Sequence, residues 1–341
     1  MTECFNARII ECPACHAPEG LKPAPDARLC PACGRQYEVR EGIPMLLVDT
    51  SLSTQLEKMD YDDHHNIDDT RREKVANDWQ LIFDQHGIKG GDLLEIGSGT
   101  GQLTWGLAKK MQFDSVNACD ISHAFLQRIR QQVFAGEDPT HVGYYVSDAN
   151  NLPFKSGSFD VVVGHSVLHH FLEYEKCLET VFRLLKPKGK AVFYEPVLQG
   201  KATVAFFAEL MIKIEKRTNF GVLDDQDIAK IEHMIRHMLK AKWIGDKPER
   251  LKQIEDKHVF DIRAMESLAQ RIGYAKFSYS NFYSANWGYK SHWAQHLLMA
   301  GIDAKKIEQF TFISNAFGKI YSDMLPNDVC TPMGYFVFTR K

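Results

Sequence analysis

The feature that most limits how this chain can fold is an apolar segment that runs directly into a series of glycines. Residues 92–101 read DLLEIGSGTG, and apolar residues at helical spacing follow them. A strand, a glycine turn and a helix in this order let the backbone approach a ligand closely and place that ligand at the helix N-terminus. The pattern therefore predicts an α/β domain with a ligand at this turn. The glycines alone do not identify the ligand, because enzymes that bind NAD use related glycines.

Three acidic residues narrow the choice of ligand. Glu95 lies inside the first strand, two residues before Gly97, where a pyrophosphate-binding loop would not favour an acid. Residues 115–120 read as a second strand that ends in Asp120, and a carboxylate there can accept hydrogen bonds from both hydroxyls of a ribose. A third strand ends in Asp148, where a carboxylate can accept from the exocyclic amine of adenine. This arrangement fits a hydride-transfer enzyme poorly.

Helices and strands continue to alternate towards the end of the chain. A β-branched run predicts a buried fourth strand, and the turn at 186–189 precedes a fifth. A helix at 261–273, with its apolar residues on one stripe, precedes the sixth strand. This order predicts a Rossmann-like sheet of seven strands. The predicted strands are 92–96, 115–120, 142–148, 158–164, 190–196, 276–283 and 334–339.

The ordered set of motifs resembles class I S-adenosylmethionine-dependent methyltransferases, in the branch similar to the ubiquinone/menaquinone and small-molecule enzymes. The resemblance covers residues 90–195 and rests on EIGSGTG, the acid at Asp120, DAxxLPF from Asp148, FDVV at 159–162 and LKPKGK from Leu185. It implies an enzyme that transfers a methyl group and a cofactor, S-adenosylmethionine, bound at the carboxyl ends of the strands.

The resemblance also implies a role for each matched residue. Glu95 would orient the methionine end of the cofactor, and the glycines would let the chain pass close beneath it. Asp120 would hold the ribose hydroxyls, with Ile121 packed against adenine. Asp148 would take the adenine amine, and the N–H of Ala149 a ring nitrogen. The implied cofactor-binding set is Glu95, Gly97, Ser98, Gly99, Gly101, Asp120, Ile121, Asp148, Ala149 and His165.

Four polar residues follow strands four and five and are the candidate catalytic residues: His165, His169, His170 and Glu195. By resemblance, His165 would lie beside the sulfonium. Methyl transfer from a sulfonium is an in-line displacement, so orientation and desolvation can supply much of the catalysis. A hydroxyl or amine acceptor must also lose a proton, and His169 or His170 could take it as a general base. The alternative is that these residues are polar loop residues lining the mouth of the pocket.

Two CPAC motifs, fourteen residues apart, occupy the start of the chain. Four thiolates from two such turns form the closed tetrahedral site typical of structural zinc. The alternative is a degenerate ribbon with unligated cysteines. With its closing strand at 36–48, segment 1–48 resembles the zinc ribbons of some bacterial rRNA methyltransferases and of Trm112-like proteins. The expected metal ligands are Cys12, Cys15, Cys30 and Cys33.

The remaining length divides into a linker and two insertions. Residues 49–70 are polar and acidic and predict a linker, in which His64 and His65 are solvated. Residues 71–341 then form the methyltransferase domain, with helical insertions at 197–260 and 284–331 that are expected to cover the active site as a lid. The second insertion is rich in aromatic residues, which favours a small, apolar, ring-bearing or lipid-like acceptor. Ordinary hydrophobic core is the alternative explanation for both apolar patterns.

Composition excludes some classes of protein. No apolar stretch is long enough to span a bilayer and no secretion signal is apparent, so we expect a cytoplasmic protein. The net charge of -3 gives no support to nucleic-acid binding. We therefore expect a small-molecule methyltransferase. The alternative is an RNA methyltransferase that binds RNA through its zinc ribbon. A non-enzymatic partner subunit is opposed by the intact cofactor motifs. The sequence does not predict the oligomeric state.

Overall fold

The computed structural model describes residues 5–49, 69–135, 139–244, 256–281, 288–315 and 331–341; of these, the side chains of 69–70, 240–244 and 288–291 are not described. Most of the predicted linker, with His64 and His65, lies outside the described residues. So do parts of both predicted insertions, including Trp287, Phe317 and Tyr321.

A small antiparallel sheet precedes the main domain. Its four strands pair in chain order: β1 (Lys22–Ala24), β2 (Ala27–Leu29), β3 (Gln36–Arg40) and β4 (Ile43–Pro44). The predicted single closing strand at 36–48 is wrong, because the chain reverses between β3 and β4. Glu41 and Gly42 both adopt left-handed backbone conformations, with φ of 52° and 84°, and this turn brings Val39 opposite Pro44.

The main sheet has the predicted seven strands, in the order β10-β11-β9-β8-β5-β6-β7. The pairs β5–β6, β6–β7, β5–β8 and β8–β9 are parallel, whereas β9–β11 and β10–β11 are antiparallel. The strands are β5 (Asp92–Ile96), β6 (Ser115–Asp120), β7 (Val142–Val146), β8 (Phe159–His165), β9 (Leu185–Pro196), β10 (Lys276–Ser280) and β11 (Met333–Thr339). The expected Rossmann-like fold is confirmed. The turn predicted at 186–189 instead lies within β9, where Lys188 keeps a left-handed φ of 65°.

Two hydrophobic cores cover the two faces of this sheet, because successive strand residues point to opposite sides. On β8, for example, Val162 belongs to one core and Val161 and Val163 belong to the other. The described helices are α1 (Asp69–Gln85), α2 (Gln102–Lys109), α3 (His123–Arg128), α4 (Tyr174–Leu184), α5 (Leu198–Thr218), α6 (Asp225–Ile244), α7 (Ile262–Ile272), α8 (Gly288–Met299) and α9 (Ala304–Gln309). Helices α4 and α7 contribute to the first core and α1 to α3 to the second.

The order of the strands reverses at β5, which is flanked by β6 on one side and β8 on the other. In open α/β sheets, ligands bind at such a switch point, beyond the carboxyl ends of the strands. The loops that follow β5 and β8 both begin at this point. They contact each other, because Gly97 in the first loop packs against Val167 in the second. The topology thus places the predicted cofactor loop and the predicted catalytic loop side by side.

The described parts of the two insertions pack on each other. Helices α5, α6, α8 and α9 share a third hydrophobic core, which includes Met211, Ile231, Trp293 and Phe310. Both insertions return to the end of β9. Val197 forms a β-bridge with Phe260, where the first insertion ends. The N–H of Val197 also donates to the carbonyl of Pro332, where the second insertion ends. The insertions therefore form a helical body anchored at the carboxyl edge of the sheet. Within the described residues, no helix combines the length and the apolar character needed to cross a bilayer.

Candidate functional site

The loop after β5 is fixed to β6 through its backbone. The N–H groups of Gly97 and Ser98 both donate to the carbonyl oxygen of Cys119, at 2.8 and 3.0 Å. Asp120 accepts from Gly99 N–H at Oδ2 (2.8 Å) and from Ser122 N–H at Oδ1 (2.9 Å). The carbonyl of Cys119 and the carboxylate of Asp120 therefore together join the glycine loop to the end of β6.

The three predicted cofactor glycines face different surroundings, although all have positive φ. A Cβ at Gly97 would lie 2.4 Å from Cγ2 of Val167, and one at Gly101 would lie 2.7 Å from Cγ1 of Ile129. These two glycines allow packing within the protein. A Cβ at Gly99 would meet no atom within 4 Å. Of the three, Gly99 is the one whose Cβ position opens to space that a ligand could occupy.

Glu95 lies at the end of β5 and is almost completely buried. Its Oε2 accepts a hydrogen bond of 2.7 Å from the hydroxyl of Thr104 on α2. Burial raises the pKa of Glu95 to about 8, and the nearby Asp120 adds to this effect. The carboxyl is therefore largely protonated at neutral pH and is suited to ionise when a cation arrives.

The end of β7 lies beside the end of β6. The N–H of Ser147 donates to the carbonyl of Asp120 at 2.9 Å, and Asp148 then begins a 3₁₀ turn, accepting from Asn150 N–H at 2.9 Å. Ala149 and Ile121 are both partly exposed on this edge. The residues expected to bind ribose and adenine thus lie on adjacent strand ends.

His165 ends β8 and is held by two aromatic residues. Its Nδ1 accepts a hydrogen bond of 2.9 Å from the indole N–H of Trp79, and its ring stacks on Tyr194 with centroids 4.9 Å apart. Burial lowers the pKa of His165 to about 3, with Arg71 and Lys74 adding to the effect. The ring is neutral, and its proton is on Nε2 because Nδ1 accepts.

Glu195, at the end of β9, organises the loop that follows β8. This carboxylate is fully buried and accepts from the N–H groups of Val167 (2.9 Å) and Leu168 (2.8 Å), and from Nδ1 of His169 (2.6 Å). On its other side, Nε2 of His169 lies 3.4 Å from the carboxylate of Asp256. His169 therefore bridges the catalytic edge of the sheet to the returning end of the first insertion.

This geometry argues against His169 as a general base. Burial lowers its pKa, but Glu195 and Asp256 outweigh burial and raise the pKa to about 9. A ring protonated at neutral pH has no lone pair with which to accept a proton. Glu195 is likewise committed to the loop. His170, whose side chain is 30% exposed, lies beside this pair, with Nδ1 3.9 Å from Asp256.

Four residues that hold the site were not predicted from the sequence: Thr104, Trp79, Tyr194 and Asp256. Thr104 follows the glycine loop on α2, where a hydroxyl facing the strand is a usable signal. Trp79 lies on α1, where the sequence alone indicates only an apolar position at helical spacing. Asp256 borders residues outside the described part of the chain and offered no pattern.

The four cysteines of the predicted metal site lie together. The Sγ atoms of Cys12 and Cys33 are 3.7 Å apart and those of Cys15 and Cys30 are 3.6 Å apart. Zinc–sulfur bonds of about 2.3 Å place tetrahedral sulfurs about 3.8 Å apart. Both of these distances are close to that value, and all four sulfur atoms lie within 4.8 Å of one another. The hydroxyl of Tyr37 lies 3.2 Å from Sγ of Cys12, as an outer-shell partner would.

A groove of about 600 Å³ lies between α6 and α8, lined by His233, Met234, His237, Met238 and His296 among others. These lining residues all belong to the helical body. The groove is therefore separate from the strand ends described above.

The fold is a Rossmann-like α/β domain, and the predicted cofactor residues lie at the strand ends around its switch point. Residues 94–193 match the family described as "Methyltransferase domain". This segment is therefore similar to class I, S-adenosylmethionine-dependent methyltransferases, as the motifs predicted. The match leaves out the cysteine cluster.

Curated relatives that the chain matches include quinone-pathway enzymes. It is 30% identical over 142 residues to a ubiquinone/menaquinone biosynthesis C-methyltransferase of Yersinia enterocolitica, covering 40% of this chain and 57% of the relative. It is 28% identical over 106 residues to the enzyme of that name from Cereibacter sphaeroides, covering 31% and 42%. The matches thus span about half of the relatives' own length. Nothing in these similarities supports the RNA alternative.

Among solved structures, the chain is similar to phosphoethanolamine N-methyltransferase 2 of Haemonchus contortus in complex with S-adenosyl-L-methionine. The identity is 16%, the TM-score is 0.47, and the alignment covers 88% of this chain and 61% of the other.

Proposed function

We propose that the protein transfers a methyl group from S-adenosylmethionine to a small acceptor bound beneath the helical body. The observation that carries this proposal is the open space at Gly99, in the loop that follows Glu95 at the switch point, with the Gly99 N–H bonded to the carboxylate of Asp120. A cofactor with one ammonium and one ribose meets complementary groups there. The family match of residues 94–193 supports the same activity.

Each residue of this edge has a distinct part in the proposal. Glu95 ionises to hold the ammonium of the cofactor. Asp120 takes the ribose hydroxyls, because a carboxylate at the end of this strand can accept hydrogen bonds from both of them. Asp148 and the N–H of Ala149 read the adenine edge, with Ile121 against the ring. Gly97, Ser98 and Gly101 shape the loop.

The bound cofactor supplies an electrophilic methyl group on a positively charged sulfur. The neutral ring of His165 places no like charge on the edge that receives this cation, because its pKa of about 3 keeps it unprotonated. In this proposal the helical body, which is anchored at the end of β9, shields the acceptor side from water. If the acceptor is a hydroxyl or an amine, His170 is the proposed base, whereas Glu195 and His169 fix the loop that carries it.

The acceptor class follows from the surroundings of the site. The two relatives are named for ubiquinone and menaquinone biosynthesis, and the helical body beside the site is built around an aromatic and aliphatic core. We therefore favour an apolar or ring-bearing small molecule. The division into a ribbon (1–48), a linker (49–70) and a methyltransferase domain (71–341) is part of this proposal.

Zinc in the cysteine cluster is the proposed structural metal. All four cysteines are present as free thiols, and a reducing compartment such as the cytoplasm would keep them available. With four protein ligands the metal would have no open position for catalysis.

Calorimetry of S-adenosylmethionine binding tests the proposal. The wild type should bind, and Gly99→Arg should abolish binding by filling the open space. Gly87→Arg is the matched control, because Gly87 has a similar φ of 62°, also has nothing within 4 Å of its Cβ position, and lies before β5 at the opposite end of the sheet. Absence of heat with the wild type would overturn the proposal.

The acceptor class can be tested with cofactor that carries a labelled methyl group. Purified protein is incubated with extracts of cells that lack the gene, and label is counted in the organic phase, the aqueous small-molecule fraction and RNA. We expect label in a small molecule of the organic phase. Label confined to RNA would reverse the ranking of the two functions.

A further inference from the structure

The segment leading into the first cysteine pairs directly with the loop that follows the adenine turn. Ile10 forms an antiparallel bridge with Phe154. The N–H of Glu11 donates to the carbonyl of Pro153 at 3.0 Å, and the N–H of Lys155 donates to the carbonyl of Ile9 at 2.9 Å. The cysteine module is therefore continuous with the methyltransferase domain at this point.

A side chain joins the same loop to the cysteine turn itself. Nδ2 of Asn151 donates to the carbonyl of Pro13 at 3.0 Å, and Pro13 lies between Cys12 and Cys15. Asn151 is the last residue of the 3₁₀ turn that Asp148 begins. This hydrogen bond thus connects the proposed metal-binding turn directly to the proposed adenine-binding turn.

Arg183 closes this junction from the side of α4. It donates to the carbonyls of Phe154 (2.8 Å) and Leu152 (3.3 Å) and forms an ion pair with Glu11 at 3.2 Å. Cys12, Leu152 and Phe154 belong to one hydrophobic core. Three kinds of contact therefore hold the cysteine module against the loop at 152–155: the backbone pairing, the hydrogen bonds and ion pair of Arg183, and packing in a shared hydrophobic core.

We propose that the first cysteine turn is a positioning element for cofactor binding: by holding Asn151 and residues 153–155, it fixes the turn that presents Asp148 and Ala149 to adenine. The inference rests on the proposed function. A metal that closes the four thiols keeps Pro13 in place. When the metal is lost, the turn at 149–151 gains conformational freedom, which the cofactor must remove on binding.

The test compares dissociation constants for S-adenosylmethionine, measured by calorimetry, in the wild type, Asn151→Ala, Cys33→Ser and the double variant. Each single change should weaken binding about tenfold, as expected for the loss of one hydrogen-bonded link. The double variant should be no weaker than the weaker single, because both break the same connection. Glu38→Ala, on an exposed strand position of the same module, is the control and should bind as the wild type does.

Hydrogen exchange separates this effect from unfolding. The amides of residues 149–152 and of Phe154 should exchange faster in Asn151→Ala and Cys33→Ser, while those of Val161–Val163 in the central strand stay protected. If amides throughout Cys33→Ser lose protection, that variant has unfolded. The inference is then tested by Asn151→Ala alone, which keeps all four cysteines. Wild-type affinity and exchange in Asn151→Ala would overturn the inference. A wild type that does not bind the cofactor would refute the proposed function, while the exchange data would still test the coupling.

Discussion

Nδ1 of His169 and Oε2 of Glu195 are 2.6 Å apart, and both side chains are buried where the loop after β8 meets the end of β9. The same carboxylate accepts two backbone N–H groups from that loop. Glu195 thus holds the loop in place. His169 links this carboxylate to Asp256, which lies near the end of the first insertion.

Replacing Glu195 by glutamine should destabilise the protein. The amide of glutamine brings donors to a place where several donors already converge, and His169 loses its buried counter-charge. Breaking a buried pair of this kind costs about 3–5 kcal/mol. Urea denaturation of Glu195→Gln against the wild type measures the difference. An unchanged midpoint would mean that the carboxylate does not organise the loop.

The contribution of His169 to stability should depend on pH. Its pKa is raised from the usual 6.5 to about 9 in the folded protein, so its stabilising effect is complete below pH 6.5 and is lost as the pH rises through 9. The difference in unfolding free energy between the wild type and His169→Gln should therefore shrink between pH 7 and pH 10. A difference that stays constant over this range would show that the ring is neutral in the folded state.

Cofactor binding should release a proton from Glu95. At pH 6 this carboxyl is protonated, because its pKa is about 8, whereas the α-amino group of the cofactor is charged. Formation of the ion pair should release close to one proton, seen as a dependence of the binding heat on the ionisation enthalpy of the buffer. Glu95→Gln should bind more weakly and release none from this position. Equal heats in two such buffers would place the ammonium elsewhere.

Alanine substitutions should destabilise the protein more at Gly97, which packs against the protein, than at Gly99, which faces open space. Gly97→Ala should lower the melting temperature by several degrees, because it combines left-handed strain of about 1–2 kcal/mol with a contact of 2.4 Å to Val167. Val167→Ala in the same chain should restore part of the loss. Gly99→Ala, with the strain alone, is the comparison for thermal unfolding without cofactor. If both alanines cost the same, Val167 is not the obstacle.

The positions of the strands along the chain could be predicted from the sequence, because each parallel strand is a short β-branched or apolar run that ends at or beside a candidate site residue. Asp120 and His165 both occupy the strand ends where they were expected. The hairpin at Glu41 was missed, because an apolar stretch after a glycine reads equally well as a continued strand. The environment of His169 could not be predicted, because Glu195 and Asp256 are distant in sequence and reach it through the fold.

The same limit applies to the junction between the cysteine module and the main sheet. Local patterns predicted each part, yet the contact of Asn151 with Pro13 joins residues 138 positions apart. A short polar side chain in a loop carries no sequence signal of such a contact.

The pairing of Met45 with Val146 has a consequence for the behaviour of the chain in solution. β7 is the last strand of the seven-stranded sheet, and all five of its residues are buried. The N–H of Leu46 donates to the carbonyl of Val146 along this outer side. An uncovered apolar edge strand is a template for intermolecular pairing and aggregation. The segment that follows β4 covers this edge at Val146, so a chain cut back to the methyltransferase domain would expose that end of β7 and tend to self-associate.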